Sequence, residues 1–460
     1  MHEAFSEGEG GFQVKEARML GYYLDLALRS LKRSKALAAM MVTALAVGIG
    51  ASMTTLTVAH LLSGDPVPER SATLYHPQLN PTMPPRLVHE PTGAMDYRSA
   101  MDLWSAHRAD RQTLVASSPV KVRVEGSGKP PLPRQVLLTT SDFFPMFDVP
   151  FRYGGPWAST DEGPHARVAV ISSALNERLF GGVDSVGRSL RLRDSDVRIA
   201  GVLAPWRPAP RFYDIWQGRY RHGNTESFYN DPEDIYIPLA TGLDIFAGKM
   251  PVMPVHFCWD MSAEGAAMQT APCAWLSLWV QLASPAKVGD YAEFLQGYAQ
   301  QQKRLGRYTS DQTRLQSLMQ WLEWNRVVPG TVRMQAWMAQ AFLLICLVNT
   351  VGLLLTRFLR RSGEIGVRRA MGASRRAVFT QCLVEAGLIG LFGGFGGWLL
   401  TLLGLWVVRQ QPVAYADLAH LDLPMFFGTF AMSIAASLLA GVLPALRASR
   451  VPIGFQLKTL

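Results

Sequence analysis

Charge is scarce in this sequence. Asp, Glu, Lys and Arg make up 18% of the 460 residues, against about 25% in an average soluble protein. That deficit argues against a chain bathed in water along its whole length. Cysteine is rare too: there are four, and no two of them form a CxxC pair, which removes a zinc ribbon or a thioredoxin-type redox motif. The sequence has no HExxH and no GxSxG, the marks of zinc peptidases and of nucleophile-elbow hydrolases. The nearest approach to a phosphate loop is "GVDSVGRS", with Arg188 where the lysine belongs. It leads into the β-like "SLRLRD", whereas a phosphate loop needs a helix start to hold its anion, so it reads as a β-turn. His256 beside Cys258 and Asp260 lacks the repeated spacing of a metal site. No cofactor or metal is expected on this chain, and nothing in it supports a covalent or acid–base enzyme.

Long apolar runs are what the sequence does have. A hydrocarbon core about 30 Å thick takes roughly 20 apolar residues of helix. Four segments qualify: residues 36–62, 334–356, 377–408 and 423–446. The first follows basic residues, as a signal peptide would, but it is far longer than the ~7–15 apolar residues of one. The third exceeds a single span and carries Glu385 near its start, which suggests an entry turn in the interface or a strong tilt.

The net charge of +9 is concentrated beside these runs. Residues 63–333 hold 28 Lys/Arg against 27 Asp/Glu, whereas residues 357–376 hold seven Arg and one Glu. Nucleic-acid binding would want one basic face on a folded domain. The observed pattern is that of the positive-inside rule, with residues 1–35, 357–376 and 447–460 cytoplasmic and residues 63–333 and 409–422 outside. Arg357, Arg360 and Arg361 read as topology anchors. The fold class that follows is a membrane protein of four transmembrane α-helices with a large mixed α+β domain between spans one and two.

That domain alternates β-rich runs such as "ARVAVIS" with helical ones. "SSALNERLF" reads as a helix capped by Ser172 or Ser173, and residues 275–283 as a strand. "AKVGDYAEFLQGYAQQQKRLGR" and "SDQTRLQSLMQWLEWNRVV" read as helices, the latter capped by Ser310 or Asp311. Upstream of span one, "EARMLGYYLDLALRSLKRS" has helical spacing and either lies in the membrane surface or extends the span. Cys346 and Cys382 fall in spans two and three as small apolar residues. Cys258 and Cys273 are either a disulfide, which an oxidising compartment permits, or two buried thiols.

Residues 363–387, "GEIGVRRAMGASRRAVFTQCLVEAG", carry the most specific signal. With the order of spans they resemble the permeases of the MacB/FtsX class of ABC transporters: Glu364-Ile365-Gly366, Arg368-Arg369-Ala370 and Gly372-Ala373-Ser374 match that family's cytoplasmic signature. "LPALRASRVPIGFQLK" resembles its closing segment, and "VAVISSALNERLFGGVDSVGRSLRLRDSDVRIAGVL" its periplasmic core. The resemblance implies a bacterial inner-membrane protein that forms a homodimer or pairs with a similar permease. It also implies a separate ABC ATPase carrying ATP and magnesium, since residues 1–460 hold no Walker A lysine and no room for a nucleotide-binding domain. Such permeases act as mechanotransmitters, for efflux with a periplasmic adaptor and outer-membrane channel, for control of a periplasmic hydrolase or sensor, or for Lol-type lipoprotein release. On this reading Glu364, Ile365, Gly366, Val367, Arg368, Arg369, Met371, Gly372 and Ala373 form the ATPase-coupling element. Val367 and Met371, four residues apart, offer an apolar contact, while Arg368 and Arg369 meet an acidic partner surface or lipid phosphates.

Overall fold

Within hydrocarbon a backbone must satisfy its own hydrogen bonds, and a helix does so within one segment. The computed structural model describes residues 21–81, 83, 90–124, 130–163, 166–246, 257–260, 267–420 and 423–450. His256, the start of the N-terminal helical stretch and the tail after Arg450 lie outside them. The chain divides into two compact units, Met1–Leu61 with Thr331–Leu460, and Leu62–Gly330.

In the first unit Lys35–Ser63, Gly330–Arg360 and Arg375–Arg409 are long and apolar enough to cross a membrane. A fourth helix, Leu423–Arg450, has 28 residues, and its Ile434–Arg447 part is apolar. Residues 21–33 are also helical and meet the first span at a turn at Ser34. Spans one and three approach through small residues. A Cβ at Gly50 would stand 2.6 Å from Leu400 Cβ, and one at Gly397 2.8 Å from Ile49 Cγ2, so the missing side chains are what let these backbones come close. Ser52 Oγ ties span one to span two by donating to the Ala339 carbonyl at 2.9 Å.

The second unit is built on one sheet. Its strands are β1 (Leu74–Gln78), β2 (Ala94–Met95), β3 (Arg111–Arg123), β4 (Leu132–Thr139), β5 (Phe151–Gly154), β6 (Val168–Ile171), β7 (Ser189–Leu192), β8 (Ser195–Leu203) and β9 (Ile235–Pro238). A separate pair, β10 (Phe257–Cys258) and β11 (Cys273–Ala274), precedes β12 (Leu276–Gln281) and β13 (Arg314–Ser317). The order is β13-β1-β12-β3-β4-β9-β6-β8-β5, with β2 on β12 and β7 on β3 and β8.

Strand alternation divides the side chains between two layers. Ile235, Ile237, Leu276, Leu278 and Val280 enter a core shared with Ala100 and Leu103 of helix Tyr97–Ser105 and with Tyr291, Leu295 and Ala299 of helix Pro285–Arg304. Tyr236 and Trp279, between them in sequence, enter an aromatic layer with Phe143, Phe147 and Phe212. Helix Ser173–Phe180 is capped by Ser172, whose Oγ accepts from Leu175 N at 3.0 Å, and ends on Gly181 in the left-handed region at φ 69°.

One reading is corrected. "SDQTRLQSLMQWLEWNRVV" is not a single helix, and neither Ser310 nor Asp311 caps it. Its Arg314–Ser317 part is strand β13, paired with β1, and helix Leu318–Trp324 begins after Ser317, which forms a capping box with Gln320. The pattern is compatible with a helix locally, but β1 offers a free edge, and the Gln78–Gln316 side-chain bond at 2.7 Å fixes the register.

Cys258 and Cys273 face each other as paired residues of β10 and β11 and form a disulfide, Sγ–Sγ 2.02 Å. Non-reducing peptide mapping of chain from an oxidising compartment is expected to recover the linked peptides. Cys273→Ser is expected to lower the unfolding free energy by about 3 kcal/mol, the loop-entropy value for a loop of this size. Free thiols at both positions would overturn the pairing.

Candidate functional site

The segment joining spans two and three folds as a helix, Ser362–Ala370. Its ends suit the macrodipole, with Glu364 in the first turn and Arg368 and Arg369 in the last. Glu364 and Arg368 pair at 2.9 Å one turn apart. The helix stops in a Schellman motif: Ala373 N donates to Arg368 O at 3.0 Å and Gly372 N to Arg369 O at 3.1 Å. Gly372 sits at φ 104°, where a Cβ would strain the chain. Ser374 then caps span three, its Oγ accepting from Ala377 N at 3.2 Å.

This short helix has two faces. Gly366 is buried, and Ile365 packs against the core of the helical unit with Phe358, Val378 and Cys382. Val367 is 43% exposed and Met371 76%, so two apolar side chains face outward on one surface. Arg368 is held within the chain, by Glu364 and by Gln381 Oε1 at 3.2 Å. Ala373 is half-buried.

Beneath this helix lies a buried charge cluster that sequence reasoning missed. Arg357, read from the sequence as a topology anchor, is buried. It and Glu385 have side chains 2% exposed, and they pair at 2.6 Å. Glu385 lies inside helix Arg375–Arg409, level with the end of span two. Ser30, from helix 21–33, accepts from Arg357 Nη2 at 3.0 Å. It also accepts from Arg361 Nη1 and donates to Glu385 Oε1. Arg361 contacts Glu385 Oε2 at 3.6 Å and Glu364 at 3.0 Å, while Arg360 is exposed. Removing one partner of a buried pair costs about 3–5 kcal/mol, so this cluster is costly to disturb. The available signal was Glu385 itself, since an ionisable residue inside a span marks a functional site and requires a partner.

A second polar centre lies in the sheet unit. A cleft of about 490 Å³ is lined by Arg134, Ser172, Arg178, Trp206 and Arg207, among others. Arg134 pairs with Asp234 at 3.0 Å and Arg207 with Asp231 at 3.2 Å. Beside it Glu233 holds Tyr213 and Arg211, and burial raises Asp214 to about 6. The phosphate-loop-like stretch does not fit a nucleotide. It is a turn, closed by Arg188 N donating to Ser185 O at 3.1 Å, and it continues into strand β7.

The arrangement of a large sheet unit between spans one and two, with a short helix between spans two and three, has counterparts. Residues 38–296 match the MacB-like periplasmic core domain, and residues 338–453 the FtsX-like permease C-terminal region. The chain belongs to the MacB/FtsX family of ABC transporter permeases. Among its relatives is the pyoverdine export ATP-binding/permease protein PvdT of Pseudomonas aeruginosa, 24% identical over 68% of this chain and 40% of that protein. The macrolide export ATP-binding/permease protein MacB of Wolinella succinogenes is 22% identical over 68% of this chain and 42% of its own length. The ABC transporter permease YvrN of Bacillus subtilis, described as uncharacterized, is 23% identical over 69% of this chain and 68% of its own. The chain thus spans about two fifths of the length of the export proteins it matches, within a family of multi-span permeases.

Proposed function

We propose that this chain is the permease subunit of an ABC-type export machine, a mechanotransmitter driven by an ATPase supplied in trans. The ATPase, carrying ATP and magnesium, docks on Val367 and Met371 of the 364–374 coupling element. The observation that carries this reading is the pair of apolar side chains left exposed on a short helix that packs on two spans. The basic residues flanking the spans support cytoplasmic termini and a sheet domain outside, in a bacterial inner membrane. Export is supported by the names of the fused relatives.

The test is affinity purification of the full chain in mild detergent. An ABC ATPase is expected to co-purify, and ATP turnover is expected to vanish when it is stripped off. Turnover by the stripped chain would overturn the reading. In intact cells, cysteines introduced at Leu305 and Arg376 are expected to label from opposite sides of the membrane; same-side labelling removes the topology.

A further inference from the structure

We propose that Glu385 is the positioning residue that makes helix 21–33, the end of span two and the Ser362–Ala370 helix move as one body. The inference rests on the reading of Ser362–Ala370 as the ATPase contact and concerns how a push on that helix travels further.

Apolar packing alone would hold these segments together. The chain instead uses one carboxylate inside an apolar helix, which is expensive. Its Oε1 takes Arg357 at 2.6 Å and the Ser30 hydroxyl, and its Oε2 faces Arg361 at 3.6 Å. Arg361 passes the connection to Glu364 at 3.0 Å, and Glu364 to Arg368 at 2.9 Å. A continuous set of charged contacts therefore runs from Ser30 to the last turn of the Ser362–Ala370 helix.

A hydrophobic pair of similar volume often stabilises as well as a buried ion pair or better. What it lacks is direction, since charge-assisted hydrogen bonds specify which atoms face each other. Arg357 keeps Nε and Nη1 without a partner among the described residues. Its Nη2 is committed to both Glu385 and Ser30, the contacts that join the three segments.

The test uses the full chain with its co-purified ATPase in lipid nanodiscs. Spin labels are placed on Leu28→Cys and Ala370→Cys; the native Cys346 and Cys382 are buried. A third reporter at Leu305 reads the response of the sheet domain to magnesium-ATP. The wild-type chain is expected to show one narrow 28–370 distance with and without ATP. Glu385→Gln and the double variant Arg357→Met/Glu385→Leu are expected to widen that distribution at least twofold and cut the ATP response at Leu305 at least tenfold. The double variant is expected to keep its thermal midpoint, which separates positioning from stability.

A stable double variant with wild-type width and response overturns the proposal, because the pair is then only a stabiliser. If the double variant does not accumulate, unchanged width and response in Glu385→Gln overturn it alone. If the wild-type chain, with ATPase bound, shows no ATP response at Leu305, the proposed function itself falls, and the two failures are told apart by that control.

Discussion

Val367→Asp combined with Met371→Asp is expected to abolish ATP-driven export while leaving the chain inserted and folded. Both side chains are exposed in the free chain, Met371 at 76%, and surface substitutions of this kind shift stability by only about 0.5 kcal/mol. On the proposed docking the ATPase would cover the exposed 43% of Val367 and 76% of Met371, worth about 2 kcal/mol together. Losing both would cost about 2 kcal/mol, about thirtyfold in Kd, before the added cost of burying a charge. The measurements are co-purification of the ATPase and ATP-dependent transport in cells, with membrane level as control. Normal association in the double variant would place the contact elsewhere. Substituting Arg368 is a less direct probe, because it would also release Glu364 and Gln381.

Acidification is expected to destabilise the Leu62–Gly330 unit through His76. This side chain is 1% exposed, between the rings of Trp279 and Trp321 at 4.6 and 4.3 Å, with Nδ1 3.1 Å from the Pro77 carbonyl. Burial lowers its pKa to about 4, from about 6.5 in the unfolded chain. Between those values the unfolded chain binds a proton that the folded one refuses. The contribution of His76 is therefore fully present above pH ~6.5 and lost as pH falls to ~4, about 3 kcal/mol in all. Asp214 acts in the opposite sense. Its pKa, raised to about 6 by burial, lifts stability as the pH falls through the same range. The discriminating measurement is therefore the pH dependence of urea midpoints for the full-length wild-type chain minus that for His76→Phe. A difference that rises from pH 4 to 6.5 and then levels is expected; a flat one would mean that His76 is hydrated when folded.

The sheet unit shows how far local pattern reaches. Ser172 as a cap, the turn at "GVDSVGRS" and the strand around Trp275–Ala283 are legible because each depends on residues within a few positions of one another. Strand β13 is not legible, since "RLQS" becomes a strand only because β1, far away in sequence, presents its edge.

The same division runs through the helical unit. Its four helices, their flanking arginines and the short helix between spans two and three follow from the sequence alone, because hydrocarbon thickness and backbone satisfaction leave one solution for each apolar run. The charge next to them does not declare its role. Arg357 and Arg360 stand three residues apart in the same basic cluster, yet one is buried and the other exposed. Only the packing of three helices brings Ser30, Arg357 and Glu385 to one point, and only there does low polarity turn an arginine and a glutamate into a pair that neither can leave cheaply.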